Sequence, residues 1–280
     1  MISILFFVIC TYKQYSIYFV PEVDFGECSR LLPPGIALDL TLITNSARLV
    51  LISNTEEDKY DILIKDMVLH LATVKLDENL SWGVEQAMVN ECVARYYYNQ
   101  HYIKKFTLSK GDYTFSKENL FDSDKLPSKF YVMLMSTDAI ESPKLNTNPL
   151  ILKDFKLKKI ECKLNSQNIG QCYDDLDIAN SKCKDLYCAF INSLKSFQRP
   201  IRLIAFENYG KKRTIMSFRL SDEARDDVIT ESIDGRVSLE LSFREALSNP
   251  INLYIYYKRF HLCSIFGKDK ECLQVTDNIL

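Results

Sequence analysis

The chain has 280 residues, 47% hydrophobic and 26% charged, the profile of an ordinary soluble globular protein of one large or two ordinary domains. A formal net charge of -2 excludes wholesale coating of nucleic acid, which needs many uncompensated Lys and Arg, and leaves room only for a local basic patch. Only 8 glycines give little material for glycine-rich phosphate loops or collagen-like repeats.

The first ten residues, MISILFFVIC, are apolar. They lack the basic start and small-residue cleavage site of a signal peptide, and they fall far short of the roughly 20 residues of a membrane span. They read as a strand remnant or a misplaced gene start, with a signal anchor as the alternative. From Leu31 to Ile52 comes a hairpin-like unit. Ile36, Leu38, Leu40 and Leu42 alternate with polar or small residues, and Asn45-Ser46 leads into a short apolar strand, Leu49 to Ile52. The charged connector Asn54 to Lys59 is a candidate domain boundary. Tyr60 to Leu76 then predicts a long strand with a bulge near Asp66, carrying His70 as a packed or half-exposed strand residue.

Ser81 to Arg95 breaks the alternation. Val84, Ala87, Met88, Glu91 and Cys92 fall near helical spacing, so a short helix is predicted, with Ser81 as its cap. Tyr96, Tyr97, Tyr98 and Tyr102 follow. They fit sheet packing better than a stacking platform for single-stranded nucleic acid, because no Arg/Lys stripe runs between them. Further strands are predicted at Lys104 to Leu108, from Tyr113, and at Phe155 to Leu164, with Lys110-Gly111-Asp112 a turn. The apolar run Lys129 to Met135 predicts a central strand buried on both faces. Asn165 to Asp185 is polar and Asn/Asp-rich, and no element is assigned to it. Leu186, Phe190, Leu194 and Phe197 share one helical face. Ile201 to Phe206 and Thr214 to Leu220 are strand-like, and the acidic stretch Ser221 to Ser232 is a solvated loop without calcium-loop spacing.

The strongest pattern is Arg236 to Phe260. Val237, Leu239, Leu241 and Phe243 alternate with Ser238, Glu240 and Ser242. After a turn at Ser248-Asn249-Pro250, Ile251, Leu253, Ile255 and Tyr257 alternate again. Two antiparallel strands closing a sandwich are predicted. Many strands, few helices and no βαβ rhythm make the chain all-β: an antiparallel β-sandwich or barrel of jelly-roll type with short helical insertions.

Motifs for chemistry are missing. There is no nucleophile elbow, Walker loop, dinucleotide fingerprint or zincin motif. The cysteines Cys10, Cys28, Cys92, Cys162, Cys172, Cys183, Cys188, Cys263 and Cys272 form no C-x-x-C pair, and His70, His101 and His261 are scattered. An odd cysteine count fits reduced thiols. A paired-carboxylate glycosidase stays open by composition alone, but nothing marks a pair. Lys211-Lys212-Arg213 could touch phosphate, though three charges in a turn are ordinarily solvated. No catalytic, cofactor-binding or metal-ligating residue is therefore assigned, and no cofactor is implied.

Several stretches together resemble one family, the major capsid protein of Polinton (Maverick) elements, virus-like transposons of animal genomes. The most specific is Phe115 to Pro149: Glu118-Asn119-Leu120-Phe121, Leu126-Pro127, the strand Phe130 to Met135, Asp138-Ala139 and Asn148-Pro149, in family order and spacing. Leu31 to Ile52 resembles the end of that family's first jelly roll, and Tyr60 to Leu76 the opening of its second. Asp154 to Leu164 and Arg236 to Phe260 continue the likeness, which is loose between 166 and 234. The resemblance implies the second half of a double jelly roll: 1–29 an unmatched apolar segment, 30–58 a remnant of the first jelly roll, 59–262 the second, and 263–280 a C-terminal tail. Most of a first jelly roll has no counterpart in the chain. The resemblance implies a non-enzymatic virion protein that self-associates as a homotrimer and meets neighbouring capsid subunits. No specific nucleic acid or membrane partner is implied, and the location is the virion or, for an inactive copy, the cell interior. A carbohydrate- or ligand-binding β-sandwich is the alternative, with Tyr96 to Tyr102 as its aromatic face.

Overall fold

A computed structural model describes residues 2–10, 13–19, 30–32, 41, 43, 45–55, 62–90, 92–122, 125–194, 204–221, 233–268 and 272–279. The chain divides into two compact units. The first comprises Met1–Leu51, Glu57–Gln100 and Phe260–Leu280, and the second Ile52–Glu56 and His101–Arg259.

The strands, in chain order, are β1 (Ile2–Cys10), β2 (Lys13–Phe19), β3 (Leu63–Leu71), β4 (Ala94–Leu108), β5 (Thr114–Lys117), β6 (Lys125–Leu126), β7 (Lys129–Ser136), β8 (Leu157–Leu164), β9 (Gln167–Tyr173), β10 (Ile215–Arg219), β11 (Ile233–Asp234), β12 (Val237–Phe243), β13 (Ile251–Lys268) and β14 (Cys272–Ile279). Among the described residues five short helices interrupt them: α1 (Ala47–Val50), α2 (Glu78–Val89), α3 (Thr137–Glu141), α4 (Lys184–Ser193) and α5 (Phe206–Lys212).

In the first unit, β1 is the middle of an antiparallel sheet ordered β2-β1-β3. The apolar start is thus a strand, as its composition suggests. Phe7 pairs with Asp66 and Val8 with Ile64, so Lys65 is the extra residue of a bulge, beside the expected position. β3 belongs to this sheet, not to the jelly roll described below. The last part of β13 turns back on β14, from His261 opposite Ile279 to Lys268 opposite Cys272. Within the expected tail, the described residues 263–268 and 272–279 are strand. A small core holds Tyr96, Cys263 and Ile265, with Leu32, Ala94 and Tyr98 against it.

Two local expectations for this unit are corrected. Leu49 to Ile52 is not a strand: the Leu49 N–H donates to the Ser46 carbonyl at 2.9 Å, and the chain makes the single turn α1. Ser81 lies inside α2 and does not cap it. The Asn79 N–H donates to Asp77 Oδ1 at 3.0 Å, so Asp77 is the cap, four residues earlier.

The second unit carries the architecture that the alternation predicts. Its eight main strands, counted along the chain, are β4, β5, β7, β8, β9, β10, β12 and β13. One sheet orders them first, eighth, third, sixth (β4-β13-β7-β10). The other orders them second, seventh, fourth, fifth (β5-β12-β8-β9). The paired strands are antiparallel wherever the register is defined. Apart from β14, which makes the first sheet five-stranded by pairing with the last part of β13, this interleaved order of antiparallel strands is that of a jelly roll.

Period-two patterning fills the space between the sheets. Val237, Leu239, Leu241 and Phe243 of β12 are buried, while Ser238, Glu240 and Ser242 between them are half-buried. Ile160 and Cys162 of β8 face the same core, as do Ile251, Leu253 and Ile255 of β13. β7 runs between β10 and β13, the central position its apolar run predicts. Phe130, Val132 and Leu134 point into the core, and Phe130 stacks on Phe218 at 5.2 Å. Each such buried side chain contributes about 1.5–3 kcal/mol. Leu186 and Phe190 of α4 join this core, as their spacing predicts, and Phe197 lies outside the described residues.

Three expectations for this unit are corrected. Asn165 to Asp185, where no element is expected, contains β9 at Gln167–Tyr173. Asn165 and Ser166 take left-handed conformations (φ 51° and 65°), and Leu164 pairs with Gln167, so a two-residue hairpin turn connects β8 to β9. Phe206 ends no strand but opens α5, whereas Ile201 to Leu203 lie outside the described residues. Lys211 and Lys212 form the last turn of α5, where cations suit the negative end of a helix. Most of the Ile36 to Leu42 alternation and nearly all of the acidic stretch also lie outside the described residues.

Candidate assembly surface

The histidines and cysteines do not converge. His70 is exposed on β3. His101 is half-buried on β4, its Nδ1 3.0 Å from the Tyr256 hydroxyl. His261 is buried, its ring 5.5 Å from Tyr98. No three His, Cys, Asp or Glu side chains gather as a metal site among the described residues. Cys92, Cys162, Cys172, Cys183, Cys188 and Cys263 are free thiols. Burial pushes the Cys162 thiol up to about 12 and raises Cys183 as well, the opposite of an activated nucleophile.

The tyrosine cluster is committed to packing. Tyr96 is buried and donates its hydroxyl to the Leu31 carbonyl at 2.9 Å. Tyr102 stacks on Tyr257 at 5.1 Å and 11°. Two of the four rings suggested for a glycan-binding face are thus already covered.

The first unit exposes several large apolar side chains. Leu63, Met67, Val68, Leu69 and Leu71 of β3 are all exposed. Because successive strand residues point to opposite sides, Val68 and Leu69 together mean that both faces of β3 are uncovered. Met67, Leu69 and Leu71 make one face apolar, while Asp66, Val68 and His70 make the other mixed. Among the described residues β3 pairs only with β1. Leu80 and Trp82 of α2 are exposed too, Trp82 at 65%, with Val74 and Val93 nearby in sequence. Concentrated apolar exposure of this kind marks an interaction surface more often than a free one.

The second unit is tied together at its loops by contacts far apart in sequence. Arg244 Nε and Nη2 donate to the Leu176 carbonyl at 3.0 and 2.7 Å, and Nη2 also reaches Asp175 Oδ1 at 2.8 Å. That hydrogen bond, with Lys182 nearby, holds the Asp175 carboxyl below its ordinary range. The Arg244 N–H donates to the Lys156 carbonyl at 2.9 Å. Lys156 belongs to a tight turn in which Phe155 and Lys156 are both left-handed (φ 48° and 58°) and the Leu157 N–H donates to the Asp154 carbonyl. Gln171 of β9 joins the edges of the two sheets: its Nε2 donates to the Arg219 carbonyl at 2.6 Å, and its Oε1 accepts from the Arg219 N–H at 2.9 Å. Sequence reasoning missed Arg244 and Gln171, because neither sits in a local motif.

No helix among the described residues is long and apolar enough to cross a membrane. Neither protein-family models nor curated sequences match the chain. Solved structures do. The chain is similar to a protein of the Sputnik virophage structure at 13% identity, covering 94% of this chain and 55% of that one, with a TM-score of 0.46. It is similar to the mavirus major capsid protein at 14% identity, covering 80% and 48%, with a TM-score of 0.38. It is also similar to a protein of the PBCV-1 virus capsid at 8% identity, covering 79% and 56%, with a TM-score of 0.41. The chain spans about half the length of each.

Proposed function

We propose that the chain is a structural, capsid-type protein that self-associates, as a trimer, into the building block of a shell. The observation that carries this reading is the strand order of the second unit: an eight-stranded jelly roll, β4-β13-β7-β10 in one sheet and β5-β12-β8-β9 in the other. The exposed β3 and α2 side chains supply apolar surface for contact with further copies. Obligate interfaces of this kind bury about 2,000–5,000 Å² or more and resemble a core cut in half. The sequence resemblance to Polinton capsid proteins extends the reading to an endogenous virus-like element, with the virion as its location. The role is positional and asks for no catalysis.

Negative-stain electron microscopy of the purified chain at high concentration tests it. Three-lobed particles, or sheets tiled by them, are the expected result. A field of isolated single-lobed particles at every concentration would contradict it.

A further inference from the structure

Arg259 of β13 lies beside the stacked pair of Tyr102 and Tyr257. Its guanidinium carbon is 5.6 Å from the first ring centre and 5.3 Å from the second. Ring faces stabilise the positive charge but accept none of the in-plane N–H groups on the other edges. The residue is only 8% exposed, and its Nε and Nη2 are buried with no hydrogen-bond partner. Leaving two donors of a buried cation unmet is costly. The two orphaned nitrogens also lie on one edge of the guanidinium. Their parallel N–H groups form the fork that matches two oxygens of a single carboxylate or phosphate.

The neighbouring charges do not fill that fork. Lys104, two residues along β4 from Tyr102, donates to the Leu120 carbonyl at 3.0 Å and pairs with Asp122 Oδ2 at 2.6 Å. Asp122 is exposed and engaged there. Its carboxyl is held below the ordinary range chiefly by the Lys104 hydrogen bond, with the charge of Arg259 a smaller contribution.

We propose that the Nε–Nη2 edge of Arg259 is an oxyanion subsite, built to take a carboxylate- or phosphate-type group. The group can come from a free anion or from an acidic side chain of a second copy of this chain. The test uses the full chain with 15N-labelled arginine, inorganic phosphate as the probe, and constant ionic strength. The Arg259 Nε–H resonance should shift saturably with phosphate. At phosphate a hundredfold above its Kd, the folding equilibrium of the native chain should shift about a hundredfold toward the folded state. Arg259→Met should lose this phosphate-dependent rise in Tm, and Arg259→Lys, a cation without the fork, should show a smaller one. A shift that follows protein concentration without phosphate, together with rising solution mass, would assign the group to a second copy. A resonance that stays put in both titrations overturns the proposal, and so does an equal phosphate-dependent rise in the native chain and Arg259→Met. Should Arg259→Met fail to fold, the resonance of the native chain decides alone.

Discussion

Leu241→Asp places a carboxyl at the centre of the jelly-roll core. Leu241 is 2% exposed and lies between Phe115 of β5 and Ile160 of β8 in register. Removing the leucine side chain alone, as in Leu241→Ala, costs about 2–5 kcal/mol for lost burial and the cavity left behind. The aspartate adds a second cost. A carboxyl with nothing to pair with in the core stays neutral, and holding it neutral at pH 7 rather than at its ordinary 3.9 costs about 4 kcal/mol, at about 1.4 kcal/mol per unit. The two together reach about 6–9 kcal/mol, comparable with the whole stability of a typical domain, about 5–15 kcal/mol. Leu241→Ala should therefore fold with a lowered Tm, and Leu241→Asp should be unfolded or nearly so at pH 7. The sign of the pH effect follows from a raised folded-state pKa: the second cost is present above the unfolded pKa and fades as pH falls toward it. Thermal melts followed by circular dichroism at pH 7 and near pH 4 measure both differences. The gap between Leu241→Asp and Leu241→Ala should narrow at the lower pH. An unchanged melting temperature for Leu241→Asp, or a gap that ignores pH, would refute the core placement of β12.

Arg244→Ala should lower the melting temperature, with the bonds to the Leu176 carbonyl alone contributing about 1 kcal/mol. Because Arg244 holds the Asp175 pKa down, its charge-based share is present above the ordinary carboxylate pKa and is lost as pH falls through the folded value. The difference between native chain and variant should therefore narrow in acid melts. Exposed Cys92 and Cys188 should be alkylated in the folded protein at pH 8, whereas Cys162 should react only on unfolding, as read by peptide mass spectrometry. Trp82 is the only tryptophan, so iodide should quench its fluorescence readily in dilute protein and less well on self-association. Leu69→Glu, on the exposed strand β3, should reduce self-association while leaving the melting of the jelly-roll unit unchanged.

The parts of this fold that sequence reveals are those whose burial alternates along the chain. β12 and the first half of β13 are legible because Val237 to Phe243 and Ile251 to Tyr257 place every second residue in the core. β7 is legible because no polar residue interrupts Phe130 to Met135. β9 is hidden for the opposite reason. Gln167, Asn168, Gly170 and Gln171 favour loops, and the strand is held by pairing with β8 and by the Gln171 bonds to Arg219, 48 positions away. The α2 cap is hidden because Asp77 and Ser81 are both good cap residues, and only the Asn79 N–H distinguishes them. The exposed apolar strand β3 reads in sequence as a buried one, since composition records what a strand is fit to pack against and not whether a neighbour is present. Arg259 offers no sequence signal at all. Lys258-Arg259 looks like the polar end of a strand until the tyrosine pair and the orphaned nitrogens are seen around it.

Whether this jelly-roll chain is a self-associating building block can be read from its solution mass. Light scattering after size exclusion, over a range of loading concentrations, gives the mass without reference to shape. A stable species at three times the 32.5 kDa of one chain is expected. A single species at 32.5 kDa at every concentration would contradict it.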